Sequence, residues 1–263
     1  MATSSAAGKT IIVTGGGGGL GKALASAFLE AGANVAVCDV HEARLKETAA
    51  EWAKYGDNRF ITSQANIVDE AAVTSFFSDV SAKFGRIDML INNAGIMDKF
   101  DGAGSTPLDL WNRVIGVNLT GAFLCTKAAV NAFEAQSPSG GTIISIGSVA
   151  SIRGTNAGAA YTTSKHGLLG LMKNTAGWYG HKGIYSVTFL MGGMNTNIAD
   201  DLATGFNQEG MGIMTANNPG YVAGKTTVEL PDVAKYALFF TDPTMAAASN
   251  GAAITINKNW PAA

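Results

Sequence analysis

The stretch TIIVTGGGGGLGKA, Thr10 to Ala23, decides how the rest of the chain is read. Its first five residues are apolar or β-branched and fit a strand buried on both faces. The glycines that follow lead into an amphipathic pattern over Leu20–Ala31 that predicts a helix. Glycine is needed where backbone must approach a pyrophosphate with no Cβ in the way. A helix N-terminus just beyond offers unpaired N–H groups and the positive end of the helix dipole. Strand, glycine-rich turn and helix in that order predict a dinucleotide-binding unit. Two registers fit: Gly16, Gly18 and Gly21 match G-x-G-x-x-G, whereas Gly15, Gly19 and Gly21 match G-x-x-x-G-x-G.

Working outward, the same alternation repeats. Asn34–Asp39, Arg59–Ser63, Ile87–Ile91, Thr142–Ile146, Ile184–Leu190 and Ala252–Ile256 read as further buried strands. Glu42–Tyr55, Glu70–Phe84, Leu108–Ala135, Ala159–Tyr179 and Pro231–Phe240 read as helices between them. Parallel strands need a crossover to return the chain, and uniformly apolar strands imply cover on both faces. The expectation is an α/β fold: one doubly wound, Rossmann-type domain over residues 1–263, with a mostly parallel seven-stranded sheet and helices on both faces. Residues 192–227 break the rhythm. They are rich in Gly, Asn, Thr and Met with a short helical stretch near Asn197–Thr204, and they predict a substrate-binding lid.

Bulk properties exclude several classes. A formal net charge of −2 and scattered lysines and arginines argue against a nucleic-acid partner or an anionic lipid surface. No stretch is read as reaching the roughly 20 apolar residues of a membrane span, and Met1–Thr10 has no apolar run of signal-peptide length. Cys38 and Cys125 are far apart and predict two buried, reduced thiols, so a cytoplasmic location is expected. The sequon Asn118-Leu119-Thr120 is read as chance. His41, His166 and His181 lack metal-ligand spacing, and no metal is expected.

Asp39 ends the second strand at the position expected of an acid that accepts hydrogen bonds from an adenosine ribose. A carboxylate there repels a 2′-phosphate, which favours NAD over NADP, although His41 and Arg44 lie close by. Tyr161 and Lys165 stand four positions apart in a predicted helix and so share a face. A free phenol has a pKa of about 10, and lowering it to about 7 needs roughly 4 kcal/mol. An ammonium one turn away and a positive nicotinamide would both favour the phenolate. Ser148, just past the fifth strand, is placed to donate a hydrogen bond to a substrate carbonyl.

The motifs TGGGGGLG (14–21), NNAG (92–95), Asn118 in VNLTG, Ser148 in IGSVAS and Tyr161-Thr-Thr-Ser-Lys165 together resemble those of the short-chain dehydrogenase/reductase family over essentially the whole chain. The resemblance implies a catalytic tetrad of Asn118, Ser148, Tyr161 and Lys165. In it Tyr161 exchanges the proton, Lys165 also holds the nicotinamide ribose, and Asn118 anchors a water. It further implies cofactor contacts at Gly15, Gly19, Leu20, Gly21, Asp39, Asn66, Ile67, Asn93, Ala94, Gly95, Met194 and Thr196. A homo-oligomer, tetramer or dimer, is implied as well, with Leu108–Ala135 and Ala159–Tyr179 as candidate interface helices. Departures from the family pattern are Asn66 for the usual Asp, Met191-Gly192 for Pro-Gly, Tyr185 and Val187 for Arg and Asn, and Asn257-Lys258-Asn259 for Asp-Gly-Gly. Loss of proline's fixed φ predicts a looser nicotinamide side.

Met97, Phe100, Ile152, Met191, Met194, Phe206, Met211 and Met214 fall in segments expected to surround the pocket. Such a lining suits a hydrophobic small-molecule substrate. The leading expectation is an NAD-dependent interconversion of a secondary alcohol and a ketone. An NADP-dependent ketoacyl-type reductase is the alternative within the family, and a cofactor-binding scaffold without redox turnover is the alternative outside it.

Overall fold

A computed structural model describes residues 6–222 and 224–261, with the side chains of Ala199 and Asp201 outside the description. The first five residues of the polar N-terminal stretch therefore lie outside it. Among the described residues seven strands form one sheet: β1 (Thr10–Thr14), β2 (Asn34–Asp39), β3 (Phe60–Gln64), β4 (Met89–Asn92), β5 (Gly141–Ile146), β6 (Ile184–Met191) and β7 (Ala253–Ile256). Their order is β3-β2-β1-β4-β5-β6-β7, and every pairing is parallel, where a mostly parallel sheet was expected.

Side-chain alternation along the strands explains why both faces need cover. Ile11 and Val13 of β1 join Val35, Val37, Ile144, Val187 and Phe189 on one face. There α1 (Gly19–Glu30) contributes Leu24 and Phe28, and α8 (Leu230–Phe239) contributes Val233 and Ala237. Ile12 points the other way with Ala36, Leu90 and Ile143, against Phe76 and Phe77 of α3 (Glu70–Phe84), Phe133 of α5 (Ala122–Ala135) and Met172 of α6 (Ala159–Tyr179). Chain direction across the sheet reverses between β1 and β4. Open α/β sheets bind ligands beyond the strand ends at such a switch point.

Three regions differ from the sequence reading. The helix expected over Leu108–Ala135 is interrupted: α4 (Leu108–Ile115) runs into a π turn over Gly116–Gly121 before α5 begins. Gly116 and Gly121 at its ends keep ordinary helical backbone, and Gly121 leaves room for Ile67, which a Cβ there would meet at 2.7 Å; such turns recur at functional sites. This 28-residue span is also long and apolar enough by composition alone to cross a membrane, contrary to the expectation that no stretch comes near. Its apolar side is used within the fold, where Val114, Cys125, Ala129 and Phe133 are buried. Two helices were missed. In α7 (Gln208–Asn217) Gly210 and Gly212 lower the intrinsic propensity; the helix starts because the Asn207 side chain accepts from the Gly210 amide at 3.0 Å. The six-residue α9 (Pro243–Ala248) is started by Asp242, which caps the Thr244 amide at 2.8 Å. The remaining helix, α2 (Glu42–Trp52), ends in a 3-10 turn over Ala53–Tyr55. Cys38 and Cys125 are free and buried, and burial pushes both thiols well above their ordinary pKa.

Candidate active site

A cavity of about 570 Å³ opens along the carboxyl ends of β1, β2, β4, β5 and β6. At its near end the glycine turn folds tightly against the loop after β4. Asn93 Nδ2 donates to the Thr14 and Gly15 carbonyls at 2.9 and 3.1 Å, and Thr14 Oγ1 accepts from the Asn93 and Ala94 amides at 3.1 Å each. Backbone conformation favours one of the two registers left open by the sequence. Gly15 and Gly19 hold positive φ of 66° and 50°, and a Cβ on Gly21 would lie 2.2 Å from the Gly15 carbonyl oxygen. Those are the glycines of G-x-x-x-G-x-G. The cradle is thus one that side chains would fill, as a pyrophosphate site requires.

Asp39 sits at the end of β2 on the same cavity, accepting from the Gly17 and His41 amides at 3.0 Å each. Arg44, on the facing side of α2, is engaged by Asp200 at 2.7 Å. Asn66 spends its side-chain oxygen on the Val68 amide at 3.2 Å, and Ile67 is buried beside it; both line the cavity. Gly19, Leu20, Ala94, Gly95, Met194 and Thr196 line it too, whereas Gly21 does not and acts through the Gly15 contact.

The four residues of the expected tetrad come together on the deeper side. Lys165, 3 % exposed, donates from Nζ to the Ile146 carbonyl at 2.8 Å and lies 5.4 Å from the centre of the Tyr161 ring. Tyr161 is 7 % exposed and lies close enough to Ser148 for that hydroxyl to influence its ionisation. Ser148 is fixed by a reciprocal cap: its oxygen accepts from the Ala150 amide at 3.1 Å, while its own amide donates to Ser151 Oγ at 3.2 Å. Asn118, on the π turn, accepts from the Ile96 amide at 2.8 Å and donates to the Ile96 carbonyl at 3.0 Å. It also donates to Ser164 Oγ at 3.1 Å, and it stands behind the cavity wall.

The electrostatics differ from the expectation. Burial pushes the Tyr161 phenol up to about 12; the Ser148 hydroxyl draws it down and the Asp98 charge raises it further. Burial also brings Lys165 down to about 8. Burial thus works against both charged forms, and the lowering of the phenol expected from Lys165 does not prevail. Both groups share a water-poor site, which disfavours either charge.

Of the predicted substrate lining, Met97, Phe100, Met191, Met194 and Met214 border the cavity. Ile152 faces solvent instead, Phe206 packs on Phe100 with ring centres 6.4 Å apart, and Met211 does not reach the lining. The departure from Pro-Gly does not cut β6 short. The strand runs on through Met191, and the Gly192 amide donates to the Ile256 carbonyl at 3.0 Å. The Asn257-Lys258-Asn259 turn takes positive φ at Lys258 and Asn259 and carries Trp260 to the cavity. Sequence reasoning missed Trp260, Asn156 and Asp98. The first two had no motif to mark them, but an acid three residues past an NNAG segment was a signal available in the sequence.

Residues 9–206 match the family model for short chain dehydrogenases. The chain is 41 % identical over 259 residues to dpchG, a short chain dehydrogenase/reductase of Colletotrichum higginsianum, covering 97 % of this chain and 94 % of that one. It is 33 % identical over 256 residues to 3beta-hydroxysteroid dehydrogenase 2 of Eggerthella lenta, covering 97 % and 96 %. Among solved structures, levodione reductase superposes with a TM-score of 0.83 at 26 % identity, covering 96 % and 97 %. The chain belongs to the short-chain dehydrogenase/reductase family, whose members are NAD(P)-dependent oxidoreductases acting on a CH–OH group.

Proposed function

We propose that this protein is an NAD-dependent oxidoreductase that interconverts a secondary alcohol and a ketone on a hydrophobic small molecule. The observation that carries this reading is the convergence of Ser148, Tyr161 and Lys165 on one cavity whose other end holds the glycine cradle and Asp39. A bound nicotinamide supplies or takes up the hydride. The chain's own groups do the rest. Ser148 donates to the substrate oxygen, Tyr161 gives up its proton to that oxygen in reduction and receives it in oxidation, and Lys165 holds the ribose and its charge favours the phenolate. Asn118 fixes the Ile96 peptide beside Gly95 and anchors the water on the path to solvent.

NAD is favoured by the Asp39 carboxylate at the ribose end. The nearest guanidinium, Arg44, is already paired with Asp200 and so is a poor host for a 2′-phosphate. The methionine-rich wall, completed by Phe100 and Trp260, suits an apolar frame, and a relative named for a hydroxysteroid points the same way. Exposed Phe123 on α5 and Trp178 on α6 fit association of copies through these helices in a homo-oligomer. The test is a parallel screen of cyclohexanone, 1-tetralone and a 3-ketosteroid, with the matching alcohols, against NAD(H) and NADP(H). Turnover with NAD(H) is expected. Tight NADH binding without turnover on any of them would favour a scaffold.

A further inference from the structure

Asp98 is 1 % exposed, carries a carboxylate and is absent from the expected tetrad. Its Oδ1 accepts from the Phe100 and Gly158 amides at 3.1 Å each, and its Oδ2 accepts from the amide of Tyr161 at 2.9 Å. Gly158 is the N-cap of α6, a residue that brings no side chain of its own to the cap. Asp98 supplies that cap from a different segment, and the Asp101 carbonyl completes it by accepting from the Ala159 amide at 2.8 Å. The fit is close: a Cβ on Gly158 would lie 2.6 Å from Asp98 Oδ2.

The same turn is strained and is tied to the 192–227 segment. Phe100 adopts a positive φ of 62°, costly for an aromatic residue. The Lys99 carbonyl accepts from the Asn207 amide at 2.9 Å, and Asn207 Nδ2 donates to Asp101 Oδ1 at 2.9 Å. The start of α7 and the start of α6 therefore hang on one short turn, which Asp98 holds in shape.

We propose that Asp98 is a positioning residue for Tyr161: it caps the first turn of α6 from across the site and so fixes the phenol relative to Ser148 and Lys165. This rests on Tyr161 being the proton-exchanging group. The negative charge has a second consequence, because it disfavours the phenolate beside it. Other charged or titratable groups on the turn and the elements packed against it are Lys99 and Asp101 on the turn, Lys165, His166, Lys173 and Tyr179 on α6, Asp109 and Arg113 on α4, and Glu209 at the start of α7.

The test is Asp98→Asn, nearly identical in shape, which must turn an NH₂ toward at least one of the amides that the carboxylate now accepts. With 1-tetralol and NAD, kcat is expected to fall about tenfold to a hundredfold while the affinity for NADH stays unchanged. The acidic limb of the oxidative pH profile should move to lower pH, since the phenol ionises more readily once the charge is gone. Independently of activity, exchange of the Tyr161 amide hydrogen should speed up at least about tenfold, with β5 amides unaffected. A wild-type kcat and pH limb in Asp98→Asn would overturn the proposal. So would a loss of activity in which NADH affinity falls in parallel and the pH limb stays put. Tyr161→Phe, assayed alongside, separates the two claims: if it is inactive while Asp98→Asn behaves as wild type, only the positioning role fails.

Discussion

Gly21→Ala puts the tightest contact in the cofactor cradle to the test. A Cβ at this position would lie 2.2 Å from the Gly15 carbonyl oxygen and 2.5 Å from Asn93 Nδ2. Ordinary carbon–oxygen contact is about 3.3 Å, so something must move by about 1 Å. Neither side gives easily. The Gly15 amide is bonded to the Cys38 carbonyl at 2.8 Å and its own carbonyl accepts from Asn93, while α1 is wedged into the core through Leu24 and Phe28. Overpacking of this kind costs about 1–3 kcal/mol. If the turn moves, that energy appears as weaker NADH binding by about 5- to 150-fold; if α1 moves, it appears as a melting temperature lower by about 2–12 °C. Fluorescence titration with NADH and a thermal melt read the two. Gly102→Ala is the control, since a Cβ there meets nothing within 4 Å. A Gly21→Ala protein with unaltered NADH affinity and melting temperature would refute the reasoning.

Asp39→Ala should narrow the preference for NAD over NADP, read as the ratio of kcat/KM for the two cofactors; an unchanged ratio counts against the ribose assignment. Asp200→Asn should shift the same ratio toward NADP by releasing Arg44 from its 2.7 Å partner, and an unaffected ratio would mean Arg44 does not reach the ribose end. Lys165 is brought down to about 8 by burial, so its ammonium is present below that pH and lost above it. The kcat/KM for cofactor, which reports the free enzyme, should therefore fall as pH rises through about 8. A flat profile from pH 7 to 9 would contradict the role given to Lys165.

How much was legible in the sequence follows from which forces decide each element. TIIVT, NVAVCD and TIISI are central strands buried on both faces, and their apolar runs announce them. Ala159–Tyr179 was bounded by its own pattern. The π turn at Gly116–Gly121 was not legible, because local composition on either side is uniformly helical and the break is stabilised by Asn118 reaching the distant Ile96 peptide. Helix α7 failed for the opposite reason: two glycines weaken it locally, and a cap plus the Phe100 turn restore it. In the site, Ser148, Tyr161 and Lys165 were readable because motif spacing brings them together. Asp98 follows NNAG by three residues, but two of its three amide partners, Gly158 and Tyr161, lie about 60 residues further on, and nothing local in the sequence announces them. The depth of burial was equally invisible, and with it the direction in which the phenol shifts.

The most direct measurement is single-turnover hydride transfer in Tyr161→Phe, with NADH affinity measured on the same preparation. Removing one buried hydroxyl from an intact ring should slow transfer by about 10²–10⁴-fold and leave NADH binding essentially as in the wild type. Transfer at the wild-type rate in that variant would show that another group handles the proton.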